Sequence, residues 1–301
     1  MLEIGLSYLH EAASLGSMRL ASDRLGVAVS TISRQIAQLE RDFGLPLFER
    51  GRRTIQLTAA GQIAVEFHRS RVADLEALFN RLRELQDSRV GEVTLAVGEG
   101  FLGKVFSEAI GEFQRQYPGV IVTLLTGSSS DVMELVAEDA AHIGLAFNPE
   151  IHPRVRSRAS VSQPLMLICS PDHPAARERE ISFADLSRYQ LGLPPRGYRI
   201  REALEEALSR EHVRLQIQLV SASIQGLRGA AHYGGLPTLL PPIALLSDLE
   251  DEELVALPIR GQLTDTRIEL IHRLGRRLDG APGRLLALLD AKVRSWGVVA
   301  N

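Results

Sequence analysis

Arg34 and the side chains around it are the residues of this chain best suited to reading another molecule's surface. Ser30, Thr31, Ser33 and Gln35 share the outward side of a helical stretch whose inner side carries Ile32, Ile36 and Leu39. A guanidinium set among hydroxyls matches the acceptors and donors that base edges present in a major groove. Further along, Arg50, Arg52 and Arg53 crowd a glycine-containing turn. Arginines at such a tip enter a narrow minor groove or neutralise phosphate, which fixes register while a helix reads bases.

The elements that would position these groups are legible on either side. Leu6, Leu9 and Ala13 lie on one face of a first helix, Gly16-Ser17 interrupts it, and Ser17 can cap a second helix carrying Leu20, Ala21 and Leu25. Gly26 ends that helix. A third follows Val27-Ala28-Val29 and runs through STISRQIAQLE, with Ser30 placed to cap it one turn in. Two short helices and a third after a tight turn outline a helix-turn-helix. Then GLPLFERGRRTIQLTAAG sets Leu45, Leu47 and Phe48 against the core, the arginines on a turn, and a strand ending at Leu57-Thr58, which predicts a winged hairpin. From Ala59 to Asp87 run 29 residues with no proline and only Gly61 as a breaker, a rod of roughly 44 Å if helical. Leu75, Leu78, Leu82 and Leu85 recur along it at the three- and four-residue spacing that suits an identical partner helix.

After residue 90 the pattern changes to apolar strand-like runs alternating with amphipathic helices. Val93 to Val97 reads as a strand, GEGFLG as a loop, 104–116 as a helix, Val120 to Thr126 as a second strand, and GSSSD as the entry to another helix. That order predicts a parallel sheet, whose ligands bind beyond the carboxyl ends of strands, here the loops 98–103 and 127–131. A second set begins near Pro164 with LMLICSP, and the chain returns near 267–271. Two lobes joined by two crossings leave a cleft between them. Trp296, beside Leu285, Leu286, Leu289 and Val293, reads as core.

The run ASDRLGVAVSTISRQIAQLERDFGLPLFERGRRTIQLTAAG resembles the signature of the LysR-type transcriptional regulators, with a PLFxR wing and an LTxAG helix start in that order. The match runs over residues 2–85. TLAVGEGFLG, RQYPGVIVTLLTG, IGLAF, LMLICSPDHPAA and the LLP ending at Pro241 resemble the same family's effector domain. The resemblance implies an α/β multidomain chain in three parts. These are an N-terminal all-α winged helix-turn-helix over 1–58, a linker and dimerisation helix over 59–87, and a two-lobed α/β effector domain over 91–301 like the type 2 periplasmic binding proteins. Lobe I is 91–162 with 268–301, and lobe II is 163–267. It implies DNA contacts from Ser30, Thr31, Ser33, Arg34, Arg50, Arg52 and Arg53. It also implies effector contacts from Glu99, Gly100, Phe101, Ser128, Ser129 and Phe147, and from Tyr198, Ser221, Ser223 and Tyr233 in the second lobe.

Where the family commonly has Ser-Gln-Pro opening the recognition helix, this chain has Ala28, Val29 and Ser30. A glutamine pairing with adenine is thereby lost, and valine offers only apolar contact to a thymine methyl. Glu99 stands where many relatives that take carboxylate inducers have a small hydroxyl residue. A carboxylate there favours a ligand with a donor-rich end, unless Glu99 faces solvent or pairs with Arg199 or Arg201. His142, where relatives carry aspartate, is expected to be a partly exposed strand-edge residue.

Composition sets the bounds. The chain has 301 residues, 45% of them apolar, and a net charge of −3, so any nucleic-acid site must be local. Cys169 is the sole cysteine, which excludes an intrachain disulfide and a cysteine-based zinc site and suits a reducing cytoplasm. Met1-Leu2-Glu3 opens no secretion signal, and the apolar stretch 235–247 carries three prolines, so neither export nor a membrane is expected. No phosphate loop, HExxH pair, GxSxG elbow or GxGxxG turn is present, which argues against an enzyme. An exported solute-binding protein, the other alternative, would lack the arginine-tipped winged helix. The expectation is therefore a homotetrameric regulator, built from dimers, with no cofactor or metal beyond a small-molecule inducer. Its partners would be double-stranded promoter DNA, the effector and further copies of itself, with RNA polymerase as an additional candidate.

Overall fold

A computed structural model describes residues 2–49, 55–86, 90–261 and 266–297. The chain divides into two compact units, Met1–Phe79 and Asn80–Asn301.

The first unit holds α1 (Leu2–Ser14), α2 (Met18–Leu25), α3 (Val29–Phe43) and most of α4 (Ala59–Gln86). Ser17 caps α2 by accepting from the Leu20 N–H, and Gly26 and Gly44 end α2 and α3 at φ of 66° and 69°, the left-handed conformation glycine adopts without a Cβ penalty. Between α2 and α3 the Ser22 hydroxyl donates to the Val27 carbonyl at 2.6 Å, which braces the turn. Leu6, Leu9, Ala21, Ile32, Ile36, Leu39, Leu47 and Val65 form the core. One expected core member lies outside it: Leu45, set against the core with Leu47 and Phe48, is 55% exposed, as is Leu20 of α2 at 53%. Ser30 does not cap α3. The helix starts one residue earlier at Val29 with Ala28 in the cap position and no side-chain cap. The predicted strand at Leu57 is an isolated antiparallel bridge between Phe48 and Leu57, extended by a Glu49 N–H to Gln56 carbonyl bond of 2.8 Å.

The LTAAG start of α4 has a physical reading. Thr58 Oγ1 accepts from the Gly61 N–H at 3.1 Å, capping the helix, and donates to the Pro46 carbonyl at 2.6 Å. Gly61 then passes so close to the Leu47 carbonyl that a Cβ would sit 2.1 Å from its oxygen. Leu47 is further tied to α3, its N–H donating to Glu40 Oε1 at 2.8 Å.

The second unit continues with β1 (Val90–Gly98), α5 (Lys104–Gln116), β2 (Gly119–Gly127), α6 (Ser129–Ala137), β3 (Ile143–Phe147), β4 (Val155–Ser162) and β5 (Met166–Cys169). Next come β6 (Ile181–Ser182), α7 (Phe183–Leu186), β7 (Gln190–Leu193), α8 (Arg199–Glu211), β8 (Gln216–Val220), α9 (Ile224–Tyr233) and β9 (Thr238–Leu240). The chain closes with α10 (Leu246–Glu250), β10 (Val255–Arg260), β11 (Arg267–Arg273) and α11 (Gly280–Ser295). Two sheets result, ordered β2-β1-β3-β11-β4 and β6-β10-β5-β9-β7-β8. The first is mixed rather than parallel: β1 runs parallel to β2 and β3, but β11 is antiparallel to both β3 and β4. The reversal follows from the chain re-entering this sheet from the second lobe instead of through a crossover helix. At the two crossings, the Gln163 N–H donates to the Thr266 carbonyl and Thr266 Oγ1 donates back to the Gln163 carbonyl, at 2.8 and 2.7 Å. Trp296 packs against the core as expected.

Candidate functional sites

On α3 the inner residues Ile32, Ile36 and Leu39 are buried, and Ser30, Ser33 and Arg34 are exposed, with Thr31 and Gln35 half-buried beside them. These five project from the first turns of a helix whose start carries no side-chain cap, so its leading N–H groups face outward. Arg50, Arg52 and Arg53 lie outside the described residues. The segments flanking them are held: Glu49 by Gln56, as above, and Ile55 by the Gly16 carbonyl at 3.3 Å.

His10, on α1, packs with its ring centroid 5.6 Å from that of His68 of α4, the rings tilted, and burial with the nearby Arg69 charge lowers its pKa to about 4. It is therefore a neutral packing residue near pH 7.

In the second unit a cavity of about 170 Å³ opens where the two sheets' loops meet. Glu99, Gly100, Phe101, Ser128, Ser129, Phe147 and Tyr198 line it, together with Thr126, Arg199, Ile224 and the Pro241–Ala244 turn. GEGFLG is thus not an open loop: residues Glu99–Phe101 form a 3-10 turn that seats Phe101 in the core. Gly100 leaves room for Ala244 and Ile224, each 3.8 Å from where its Cβ would be. Ser128 makes a capping box with Asp131 at the start of α6, and Ser129 Oγ accepts from the Phe147 N–H at 3.2 Å. The serine cluster is accordingly structural in its hydrogen bonding, with the Ser129 proton left to donate.

Three second-lobe residues named from sequence lie off the cavity wall. Tyr233 is 85% exposed at the far end of α9 and meets His232 edge to face. Ser221 Oγ accepts from the Ser223 N–H at 3.1 Å, and Ser223 caps α9. Ser223 nonetheless meets the cavity through Glu99: its hydroxyl donates to Glu99 Oε1 at 2.9 Å, and the Ile224 N–H donates to the same oxygen at 3.1 Å. Glu99 pairs with neither Arg199 nor Arg201. Arg199 donates to the Asn148 carbonyl at 3.0 Å and pairs with Glu150 and Glu202, while Arg201 is held by Glu205. The missed lining residues come mainly from the LLPPIA turn and from Arg199, and the paired prolines there were the available signal.

Among the described residues, Glu99 to α9 and Arg199 to the segment after β3 bridge the lobes at this cavity, and Lys104 of α5 pairs with Glu250 of α10 elsewhere between them. Burial also disposes of two other groups. Cys169 is buried and its thiol is pushed up to about 11, so it stays protonated and unreactive. His142 is partly buried at the edge of β3, immediately before its first residue. Its Nδ1 accepts from the Thr94 N–H and its main-chain N–H donates to the Thr94 carbonyl, both at 2.9 Å, which splices it into the β1–β3 ladder. That arrangement requires a neutral ring, and burial, aided by Arg276, lowers its pKa to about 4.

The sign of the resulting pH dependence is fixed. With a folded pKa below the unfolded value, the unfolded chain binds the extra proton, so stability is retained above about pH 6.5 and lost as pH falls toward 4. At ~1.4 kcal/mol per unit, His142 is expected to cost on the order of 3 kcal/mol across that window. Urea unfolding at pH 7 and pH 4.5 should show a smaller acid loss in His142→Gln than in the parent. Equal losses would remove His142 as the cause.

Among the described residues no helix is long and apolar enough to cross a membrane, and no cluster of His, Cys, Asp and Glu could hold a metal. A helix-turn-helix with an exposed polar face on α3, in one chain with a two-lobed domain that carries a cavity, is the architecture of a ligand-responsive DNA-binding regulator. The family comparisons agree in both halves. Residues 5–62 match the bacterial regulatory helix-turn-helix protein, lysR family, and residues 86–294 match the LysR substrate binding domain. The chain belongs to the LysR family: it is a transcriptional regulator with an effector-binding domain, and not an enzyme. The HTH-type transcriptional activator CmpR of Synechocystis sp. is 29% identical over 227 residues, 74% of this chain and 73% of that one. A full-length OxyR variant from Pseudomonas aeruginosa matches in fold with a TM-score of 0.67 at 18% identity, covering 98% of this chain and 94% of that one. The Synechocystis CcmR regulatory domain, solved in complex with 2-PG, matches with a TM-score of 0.62 at 21% identity, covering 69% of this chain and 100% of that one.

Proposed function

We propose that this regulator binds its effector in the cavity between the lobes, and that the ligand alters DNA binding or bending by changing how the lobes are set against each other. The observation that carries this reading is the cavity itself, lined from both lobes and ringed by the contacts that join them. A ligand shifts such an equilibrium only by its difference in affinity for the two arrangements, so the interlobe contacts are where that difference would arise. The parts assigned are 1–58 for DNA, 59–87 for self-association, and 91–301 for the effector. The assembly is a homodimer through α4, paired again into a tetramer, acting in the cytoplasm on promoter DNA with RNA polymerase as a neighbour. No cofactor is needed besides the effector. Fluorescence anisotropy on DNA from upstream of the chain's own gene, with and without fractionated metabolites, tests this. An affinity and a footprint that no fraction alters would overturn it.

Ser30, Thr31, Ser33 and Arg34 are proposed to enter the major groove, with Arg50, Arg52 and Arg53 on the backbone or minor groove. If the exposed Arg34 guanidinium pairs with guanine O6 and N7, Arg34→Ala should weaken cognate binding by ~1–3 kcal/mol and relax selection at one base. An equal loss on cognate and scrambled duplexes would instead assign Arg34 to phosphate.

A further inference from the structure

Glu99 Oε1 stands where a bound anion would stand, at the first turn of α9, held by the Ser223 hydroxyl and the Ile224 N–H. The aligned peptide dipoles of this ten-residue helix place partial positive charge at that end. The carboxylate arrives from the other lobe, on the 3-10 turn that follows β1, so the bonds that satisfy the helix also tie the lobes beside the cavity. The charge on the cavity wall adds a second, independent reason. Arg199 is the guanidinium there, and it is already held by the Asn148 carbonyl and by Glu150 and Glu202. Glu99 and Arg199 are the charged residues lining the cavity, and because Arg199 is already paired outside it, an entering carboxylate meets the Glu99 charge with no unpaired guanidinium on the wall to offset it.

We propose that Glu99 sets the ligand class of this cavity. It is a tethered carboxylate that fills the anion position of α9, excludes free carboxylates from it, and leaves the space to a ligand that brings hydrogen-bond donors and no carboxylate. This rests on the cavity being the effector site. A ligand hydroxyl donates to the second oxygen of Glu99 and accepts from Ser129, a ligand ammonium only donates to Glu99, and neither has any need to break the Glu99 contact with α9.

Glu99→Ser and Glu99→Ala, made in the full-length protein and read side by side, free the Ser223 hydroxyl and Ile224 N–H and remove the charge. Acetate titrated by calorimetry is expected to bind these variants about tenfold or more tighter than the parent, as charge-assisted bonds allow. Adding Ser223→Ala should abolish the gain. Glu99→Gln, which keeps the shape and the acceptor but removes the charge, should bind acetate more tightly than the parent and less tightly than Glu99→Ser or Glu99→Ala. Equal acetate binding by the parent and by a folded Glu99→Ser or Glu99→Ala, or no gain in either, overturns the proposal. If Thr126→Trp, which fills the cavity, abolishes acetate binding in the parent, the role of Glu99 falls while the effector site stands. The expected acetate gain alongside DNA affinity that ignores every metabolite fraction sinks the effector reading alone.

Discussion

Gly61→Ala is expected to unfold or badly loosen the DNA-reading unit. Its Cβ would lie 2.1 Å from the Leu47 carbonyl oxygen, and that oxygen is backbone, already accepting from the Thr58 N–H at 3.0 Å. A flexible side chain could swing away, but here relief requires moving the start of α4 or the fully buried Leu47 it is packed against. Overpacking of this kind costs about 3 kcal/mol or more, a large share of the stability of a small domain. Gly44→Ala is the control. Gly44 has φ of 69° and nothing within 4 Å of its Cβ position, so the change should cost only the left-handed backbone penalty of ~1–2 kcal/mol. Thermal melts followed by circular dichroism should therefore rank the parent above Gly44→Ala and both far above Gly61→Ala. A Gly61→Ala protein as stable as Gly44→Ala would refute the close approach.

The second large effect is expected from α4. Leu75, Leu78 and Leu82 are 48%, 49% and 48% exposed, and Phe67 and Phe79 beside them are 49% and 57% exposed, whereas Ala73 and Ala77 are buried. The side chain of Leu85 lies outside the described ones. Leucines half-exposed along one stripe each have about 1 kcal/mol to gain on burial against a second copy. Leu75→Glu with Leu78→Glu places like charges in that seam. Sedimentation is expected to show loss of the dimer, and cognate DNA affinity should fall about 10²–10⁴-fold because two linked reading heads become one. A double variant that stays dimeric would place the interface elsewhere.

Much of the reading unit was legible because its signals are short-range. Ser17 and Gly26 act on residues within one helical turn, and their types predict the helix ends directly. The outward set around Arg34 follows from the 3.6-residue period alone. Leu45, expected against the core beside Leu47 and Phe48, is exposed instead, because burial depends on which neighbour covers a face. In the effector domain the positions of strands and helices followed their local pattern, but the direction of β11 did not, since pairing direction records the path of the chain through the other lobe.

Loops 98–103 and 127–131 were expected at the cavity because strand ends carry ligand loops in this class of sheet, and residues from both do line it. The partner of Glu99 was not foreseen. Arg199 and Arg201 are the obvious charge complements, yet they are held by Glu150, Glu202 and Glu205 close to their own helix. Glu99 instead meets a serine 124 positions away and a main-chain N–H that no residue type announces. Element boundaries and the reading face obey interactions spanning a few residues, which a linear string displays. The bond from Glu99 to α9 depends on two lobes meeting across a cavity, and only packing in three dimensions settles which donor lies within reach.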